Sequence, residues 1–166
     1  MIGATSPSLQ IPHVMGVVER LQPARVLDFG CGTGKYGVLV SEVEGVLTVN
    51  AVDHRMPRWK EGYNTIYLNG EVPDGAPYQL ALLLDVIEHL EKEDGHDLLR
   101  RLLARSEHVL LTTPLGFRHQ EIEGQPWMTH KSGWWPWDLR RYRMEQLSFY
   151  PSHYSRHLRI PRLHQM

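Results

Sequence analysis

The sequence lacks the features that mark disulfide-stabilised, secreted or membrane-spanning proteins. Cys31 is the single cysteine, so no disulfide can form within the chain, which agrees with a reducing compartment. No apolar run reaches the roughly eighteen residues that a membrane-spanning helix needs. The first residues also do not combine a charged start with an apolar core, as a secretion signal does. We therefore expect a cytoplasmic protein with no membrane partner.

An excess of charge of one sign is also missing. The chain has 18 Lys and Arg against 19 Asp and Glu, a formal net charge of −1. Proteins that bind nucleic acid usually concentrate positive charge on one face, so this composition disfavours nucleic acid as a partner. There is no repeat or low-complexity tract, and hydrophobic residues make up 42% of the chain. Residues 1–166 are expected to fold as a single domain.

What the sequence does contain is a glycine-rich turn between a strand pattern and a helix pattern. Residues 26–29 begin with an apolar, β-branched run, and Gly30, Gly32 and Gly34 follow before a helix pattern starts at Lys35. Glycine adopts positive φ angles and leaves space where a Cβ would collide with a ligand. A turn of this kind, with the free N–H groups of a helix start, predicts a cofactor site.

The spacing of this turn separates the ligand classes that could use it. The phosphate loop of nucleotide hydrolases needs Gly six residues before its Lys and Ser or Thr after it. Here Phe29 stands six residues before Lys35, and Tyr36 follows it. A dinucleotide fingerprint fits the range 32–37, although that frame starts later after the strand than a tight strand-to-helix turn requires. An NAD(P)-dependent oxidoreductase is therefore kept as an alternative.

The frame that fits best is Leu27-Asp28-Phe29-Gly30-Cys31-Gly32-Thr33-Gly34, which resembles the first motif of the class I S-adenosylmethionine-dependent methyltransferases. The resemblance continues in family order, with Asp53 after a strand pattern at 47–52 and the segment 85–89 after a continuous apolar run. The stretch 112–134 is similar to a subgroup of small bacterial methyltransferases. The resemblance implies S-adenosyl-L-methionine as cofactor and methyl transfer to a small-molecule oxygen or nitrogen.

The predicted fold class is α/β, a Rossmann-like, doubly wound, mostly parallel sheet with helices on both faces and a shortened C-terminal end. A helix is predicted over 11–21, and leucines at helical spacing predict another around 98–103. Strands are predicted near 25–29, 47–52, 65–68, 80–84 and 108–112, alternating with helical segments. After Pro136 we expect a short helix and a strand at 144–150. The last strand would have to come from 158–163, which Pro161 interrupts.

The resemblance implies cofactor-binding residues at the carboxyl ends of the strands, namely Asp28, Gly30, Gly32, Gly34, Tyr36, Asp53 and Asp85. Asp53 would accept both ribose hydroxyls. Asp28 would order the glycine turn or meet the amino end of the methionine moiety, and Asp85 would contact the same end or cap the following segment. Tyr36 would reach the methionine carboxylate or pack in the core. Glu71 stands near the position where the family usually places the adenine-binding Asp.

His89 is the candidate catalytic residue, because an imidazole titrates near neutral pH and this one lies just past the fourth strand. An alternative role is a hydrogen bond to a loop carbonyl. The resemblance further implies that the loop after the fifth strand covers the active site, with acceptor-binding candidates His119, Gln120, His130 and Trp134. The tryptophan-rich segment 127–137 has a second interpretation, a contact that covers the sheet edge or joins a second copy or a partner enzyme.

No metal site is expected from the spacing of possible ligands. The pattern His-Glu-x-x-His is absent, Glu88-His89 has no second imidazole four residues away, and Cys31 beside Gly32 is poor ligand spacing. A further alternative is a non-catalytic cofactor-binding or partner subunit with the same fold.

Overall fold

One seven-stranded sheet organises the computed structural model, which describes residues 7–150 and 153–159. The strand order is β3-β2-β1-β4-β5-β7-β6. The first five strands are mutually parallel, and β7 runs antiparallel to both of its neighbours. The strands are β1 Arg25–Phe29, β2 Thr48–Val52, β3 Thr65–Tyr67, β4 Tyr78–Leu84, β5 Ser106–Pro114, β6 Met144–Tyr150 and β7 His153–Arg159.

Three α-helices cover the two faces of this sheet, and none of the helices in the described ranges is long and apolar enough to cross a membrane. Valines of α1 and α2 pack on one face, and the leucines of α3 pack on the other. Acidic residues stand in the first turn of α3 and Arg105 in its last, which favours the helix dipole. The helices are α1 Ile11–Leu21, α2 Lys35–Ser41 and α3 Lys92–Arg105, with 3-10 turns at Ser8–Gln10, Ile87–His89, Pro126–Met128 and Pro136–Leu139.

The predicted fold class is confirmed, with two local differences in its connections. Residues 53–64 and 68–77 are loops, where the alternation of elements predicted helical segments. Pro57 and Gly62 interrupt the first of these stretches, and two prolines and two glycines interrupt the second. Since both residue types are poor in helix interiors, these connections form loops that fold over the sheet edge.

The final strand differs in position from the sequence-based expectation. β7 is His153–Arg159 and pairs with β5 along its length, whereas the expected stretch at 158–163 lies outside the described residues from position 160 onward. Most residues of β7 are polar, so hydrophobic patterning did not indicate it. Its backbone is held by hydrogen-bonded partners on both sides, in β5 and β6.

The register of the sheet brings four strand ends to one edge. Phe29 at the end of β1 pairs with Val52 of β2 and Leu83 of β4, and Leu84 pairs with Thr112 of β5. The residues that follow these strands therefore meet at the carboxyl edge of the sheet, where open α/β folds bind their ligands.

Candidate functional site

A cleft of about 1440 Å³ lies at this carboxyl edge. Its lining includes the glycine turn, the residues that follow β2 and β4, and part of the loop between β5 and β6. Single small-molecule sites usually occupy about 300–1,000 Å³. The cleft therefore has room for a cofactor and a second molecule beside it.

The glycine turn adopts the expected backbone, but its missing side chains serve a different purpose. Gly30, Gly32 and Gly34 have φ angles of 74°, 55° and 89°. A Cβ on Gly30 would lie 2.4 Å from Cγ2 of Val86, and one on Gly34 would lie 2.0 Å from the carbonyl oxygen of Trp59. Gly34 does not line the cleft. At Gly30 and Gly34 the space admits the protein's own chain, so the absence of a Cβ at these two positions is required by packing.

Most amides of the turn are already engaged within the protein. The N–H groups of residues 30 and 31 donate to the Val52 carbonyl at 2.7 and 3.3 Å. Gly32 donates to Oδ2 of Asp53 at 2.9 Å, and Gly34 donates to the Cys31 carbonyl at 2.9 Å. The expectation of freely available N–H groups is therefore wrong for these four amides. These four N–H groups therefore already have acceptors and do not provide free donors for a phosphate group at the turn.

Asp53 follows β2 and is held in one orientation at the cleft. Its Oδ2 accepts from Gly32, and its Oδ1 accepts from the Arg55 amide at 3.0 Å. Oδ2 also accepts a weak bond from Sγ of Cys31 at 3.9 Å. Because each carboxylate oxygen has two lone pairs, Oδ1 can still accept a ligand hydroxyl. The backbone bonds thus orient Asp53 in advance of ligand binding.

Asp28 lies beneath the turn and reaches the cleft lining from the end of β1. It is buried, and its Oδ2 accepts a hydrogen bond from the Tyr63 hydroxyl at 2.5 Å. The same hydroxyl accepts from the Gly37 amide at 3.1 Å, so Asp28 helps to order the start of α2. Burial raises the pKa of Asp28 to about 6, although the bond from Tyr63 lowers it.

Asp85 follows β4 with a left-handed backbone, at a φ of 56°. Such a conformation costs about 1 kcal/mol or more in a residue other than glycine, and it is often associated with function. The carboxylate accepts from Nε2 of Gln10 and from Oγ1 of Thr112, each at 2.9 Å. These bonds hold the Asp85 side chain at the cleft edge.

Lys35 is a site residue that sequence reasoning used only as the start of a helix. It is half-buried and lines the cleft. Burial lowers the pKa of Lys35, while the charges of Asp85 and Asp28 raise it. Its Nζ lies 4.8 Å from the ring centre of Tyr36, which is buried among α1 and α2 side chains and also lines the cleft. The signal in the sequence was a lysine directly after the third glycine.

His89 lies in the short turn Ile87–His89, which follows β4. Its Nδ1 lies 3.2 Å from the Thr129 carbonyl, so the alternative role of bonding a loop carbonyl is present together with a position in the cleft lining. Burial lowers the pKa of His89. The ring is therefore neutral near pH 7 and has a nitrogen lone pair.

Three of the expected acceptor-binding residues line the cleft: His119, Gln120 and His130. Gln120 ties the loop together, because its Nε2 donates to the Met128 carbonyl at 2.9 Å and its carbonyl accepts from the His130 amide at 3.0 Å. Nδ1 of His130 lies 2.7 Å from the Arg118 carbonyl. Side-chain bonds to the backbone thus shape this part of the loop.

Trp134, the fourth expected acceptor residue, does not line the cleft. Its side chain is fully buried. The indole Nε1 donates to Oγ of Ser132 at 2.9 Å, and the ring packs on His96 of α3 at 4.9 Å between centres. A large apolar ring gains more from burial under α3 than from the cleft mouth, so Trp134 anchors the loop.

Trp127 is the tryptophan that does line the cleft. The guanidinium of Arg55 packs over its ring in a cation–π contact, 4.5 Å from the ring centre. Trp135 and Trp137 instead stack on each other at 5.0 Å and are exposed. The tryptophan-rich segment therefore divides into one cleft residue, one buried anchor and an exposed pair.

Folding also creates a cluster that sequence spacing did not indicate. One ligand atom each of Glu88, His89 and His130 lie within 4.8 Å of one another. The two imidazoles meet edge to face, with 4.9 Å between ring centres. Because His130 comes from a distant loop, no local motif joins it to the Glu88-His89 pair.

The chain matches the model of a protein family described as a methyltransferase domain over residues 13–158. No curated protein sequence matches it significantly. A crystal structure from Nostoc punctiforme PCC 73102, provisionally named an O-methyltransferase, superposes with a TM-score of 0.68 at 16% identity, over 89% of this chain. This chain spans only 55% of the length of that protein.

Two further structures share the fold. Magnesium protoporphyrin IX methyltransferase from Synechocystis PCC 6803, crystallised with bound S-adenosylmethionine, gives a TM-score of 0.62 at 17% identity, over 90% of this chain and 79% of its own. The methyltransferase domain of a bacterial Hen1 protein gives 0.64 at 19% identity, over 91% and 97%. At these identities the superpositions establish the shared fold.

Proposed function

Because this chain belongs to the methyltransferase-domain family, we propose that its cleft binds S-adenosyl-L-methionine beside the glycine turn and presents the methyl group to a small-molecule oxygen or nitrogen. Family membership confirms the resemblance found in residues 27–34, and with it the methyltransferase class and the cofactor. The acceptor and the roles of individual residues are the proposed part.

The engaged amides of the glycine turn are the observation that supports this cofactor most directly against a dinucleotide. A dinucleotide fingerprint uses backbone N–H groups and a helix start to hold a pyrophosphate. Here the amides of residues 30, 31, 32 and 34 donate to the protein's own oxygens, and α2 has only seven residues. A cofactor without a phosphate therefore suits the turn better than NAD(P).

Charges around the turn suit the zwitterionic methionine end of S-adenosylmethionine. Lys35 can meet its carboxylate, while Asp28 and Asp85 provide negative charge for its ammonium group. All three line the same part of the cleft. Asp53 accepts the ribose hydroxyls from its fixed position. When bound, the cofactor supplies a methyl group activated by a positively charged sulfur.

The acceptor side is formed by His89 together with His119, Gln120 and His130. Its imidazoles and amide suit an uncharged polar acceptor, and the chain's balanced charge supports a small molecule over a nucleic acid. These four side chains orient the acceptor and exclude water from the site. His89 is the candidate to receive the acceptor's proton through its unprotonated nitrogen.

The exposed pair Trp135 and Trp137 supports a contact with a second copy of the chain or with a partner enzyme. An exposed aromatic stack is a common feature of interaction sites. Light scattering at increasing concentration would reveal self-association as a rise in mass. The single Cys31, which is buried, supports a reducing, cytoplasmic location.

Calorimetric titration with S-adenosylhomocysteine, the product form of the cofactor, tests this proposal, with NADH titrated in parallel. We expect binding of S-adenosylhomocysteine alone. Asp53→Ala should weaken it by about 1.5–3 kcal/mol, because charge-assisted bonds to the ribose are lost. Glu44→Ala, at an exposed acid outside the cleft lining, is the control and should leave affinity unchanged.

Each other outcome has a definite meaning. Binding of NADH alone would overturn the cofactor assignment. Unchanged affinity in Asp53→Ala would remove Asp53 from the ribose site while leaving the cofactor assignment intact.

A further inference from the structure

Glu88, His89 and His130 bring a carboxylate and two imidazoles together on the acceptor side of the cleft. Glu88 and His89 are fixed by the short turn Ile87–His89 at the end of β4. His130 reaches them from the loop, whose neighbouring amides at 131 and 132 donate to the Glu88 carbonyl at 2.8 and 3.1 Å. The same contacts that position the loop therefore position the third side chain.

Backbone carbonyls orient both imidazoles in the way that metal-binding histidines are usually oriented. Nδ1 of His89 lies 3.2 Å from the Thr129 carbonyl, and Nδ1 of His130 lies 2.7 Å from the Arg118 carbonyl. A carbonyl oxygen only accepts hydrogen bonds, so each Nδ1 carries a proton and the lone pair lies on Nε2. Metal-bound histidines commonly donate their other N–H to such an acceptor.

Glu88 is a buried carboxylate without a cationic partner among the side chains described for residues 7–143. It is 3% exposed, its Oε2 accepts from Oγ1 of Thr113 at 3.0 Å, and it belongs to none of the ion pairs found in that range. Buried carboxylates are usually neutralised by a proton, an ion pair or a metal.

The charges around the cluster act in both directions. Asp85 adds negative charge that favours a cation, and Lys131, whose charge also acts on His89, opposes one. Lys131 is exposed and Asp85 is half-buried, so solvent screens the charge of Lys131 more than that of Asp85. The balance at the cluster favours a cation.

We propose that Glu88, His89 and His130 form a binding site for a divalent first-row transition-metal ion. Two imidazole nitrogens and a carboxylate oxygen are a donor set that such ions accept, with open positions for other ligands. Two ligands of one ion lie at most about 4.2 Å apart at bond lengths near 2.1 Å. Three ligands arranged tetrahedrally around such an ion lie only about 3.4 Å from one another. The widest separation in the cluster, 4.8 Å, therefore has to close by about 1.4 Å, which requires rotation of the side chains toward the ion.

The consequence for catalysis rests on the proposed function. All three ligands line the cleft, so the open positions of the ion face the space where the acceptor binds. An oxygen of the acceptor can occupy one of them and become more acidic there. The Nε2 lone pair of His89 would then bind the ion, so His89 would be a ligand and not a base. The acceptor oxygen, made more acidic by the ion, would lose its proton to solvent water before it receives the methyl group.

Titration of the full chain with Zn²⁺, after treatment with EDTA and dialysis, tests the site. We expect one ion per chain by calorimetry, and Glu88→Gln and His130→Asn should each weaken binding by at least about 100-fold, since each removes a ligand. Glu88→Gln keeps the size of the side chain, His130→Asn keeps a polar group near the position of Nδ1, and circular dichroism checks that the variants fold. His119→Asn removes an exposed imidazole from the same loop and should leave the affinity for Zn²⁺ unchanged.

A second measurement uses the wild-type chain, so that the site can be tested even if a variant does not fold. Co²⁺ should produce visible absorption bands of nitrogen and oxygen coordination that stoichiometric Zn²⁺ displaces. Absence of those bands, or unchanged Zn²⁺ affinity in both Glu88→Gln and His130→Asn, would overturn the metal site. Titration of the same preparations with S-adenosylhomocysteine reports separately on the proposed function, because it does not depend on the ion.

Discussion

The two sides of the cleft are built in different ways. The cofactor side, formed by residues 28–36, 53 and 85, follows directly from strand ends, and its carboxylates are held by backbone amides or by buried polar side chains. The acceptor side, formed by residues 88, 89 and 118–131, depends on an irregular loop tied to the sheet edge at Glu88. The sheet fixes the first side, whereas loop contacts fix the second. Changes in the loop can therefore alter the acceptor without disturbing the cofactor.

Their chemistry differs as well. The cofactor side combines Lys35 with three carboxylates, which suits a ligand carrying charges of both signs. The acceptor side combines imidazoles with one buried carboxylate, which suits a polar acceptor or a cation. A cofactor shared by many enzymes requires a constant set of charges, while the acceptor differs between enzymes and is recognised by the more variable loop.

The largest effect is expected where the acceptor loop is anchored. Trp134→Ala should destabilise the protein by about 3–5 kcal/mol, because a fully buried indole under α3 would leave a cavity. Trp137→Ala is the matched control, since this tryptophan is 58% exposed and should cost under about 1 kcal/mol. Urea unfolding measures both. Equal unfolding free energies of the two variants would contradict the role of Trp134 as a loop anchor.

A smaller effect should separate backbone conformation from close packing on the cofactor side. Gly34 and Gly45 both have a φ of 89°, but only Gly34 has a neighbour where a Cβ would stand, the Trp59 carbonyl at 2.0 Å. Gly45→Ala should cost about 1 kcal/mol for its backbone conformation alone. Gly34→Ala should cost about 3 kcal/mol, because overpacking is added. Equal losses of unfolding free energy would show that the turn yields without strain.

The same contrast explains which features could be predicted from the sequence. The cofactor side lies next to strands whose apolar patterns are local, so the glycine turn, Asp53 and Asp85 could be placed from residue order alone. Trp134 was misassigned because an aromatic residue in a loop has the same local pattern whether it is buried or exposed. The cluster of Glu88, His89 and His130 was missed because tertiary folding alone brings His130 close.

The last test concerns the charge beneath the turn and has the smallest expected effect. The pKa of Asp28 is raised from 3.8 to about 6 in the folded state, so folding favours its protonated form. Wild-type stability should therefore fall as the pH rises from about 4 to about 6, and the loss persists above that range. Asp28→Asn keeps an oxygen for the Tyr63 hydroxyl and carries no charge.

Relative to wild type, the Asp28→Asn variant should gain about 2–3 kcal/mol in unfolding free energy at pH 7 and less than about 1 kcal/mol at pH 4, as measured by urea unfolding at both values. Its affinity for S-adenosylhomocysteine should nevertheless fall, since a negative charge near the ligand's ammonium group is lost. A stability difference that does not change with pH would show that Asp28 is not held in a protonated state. A gain in stability together with weaker binding would show that the carboxylate at position 28 costs stability and contributes to cofactor binding.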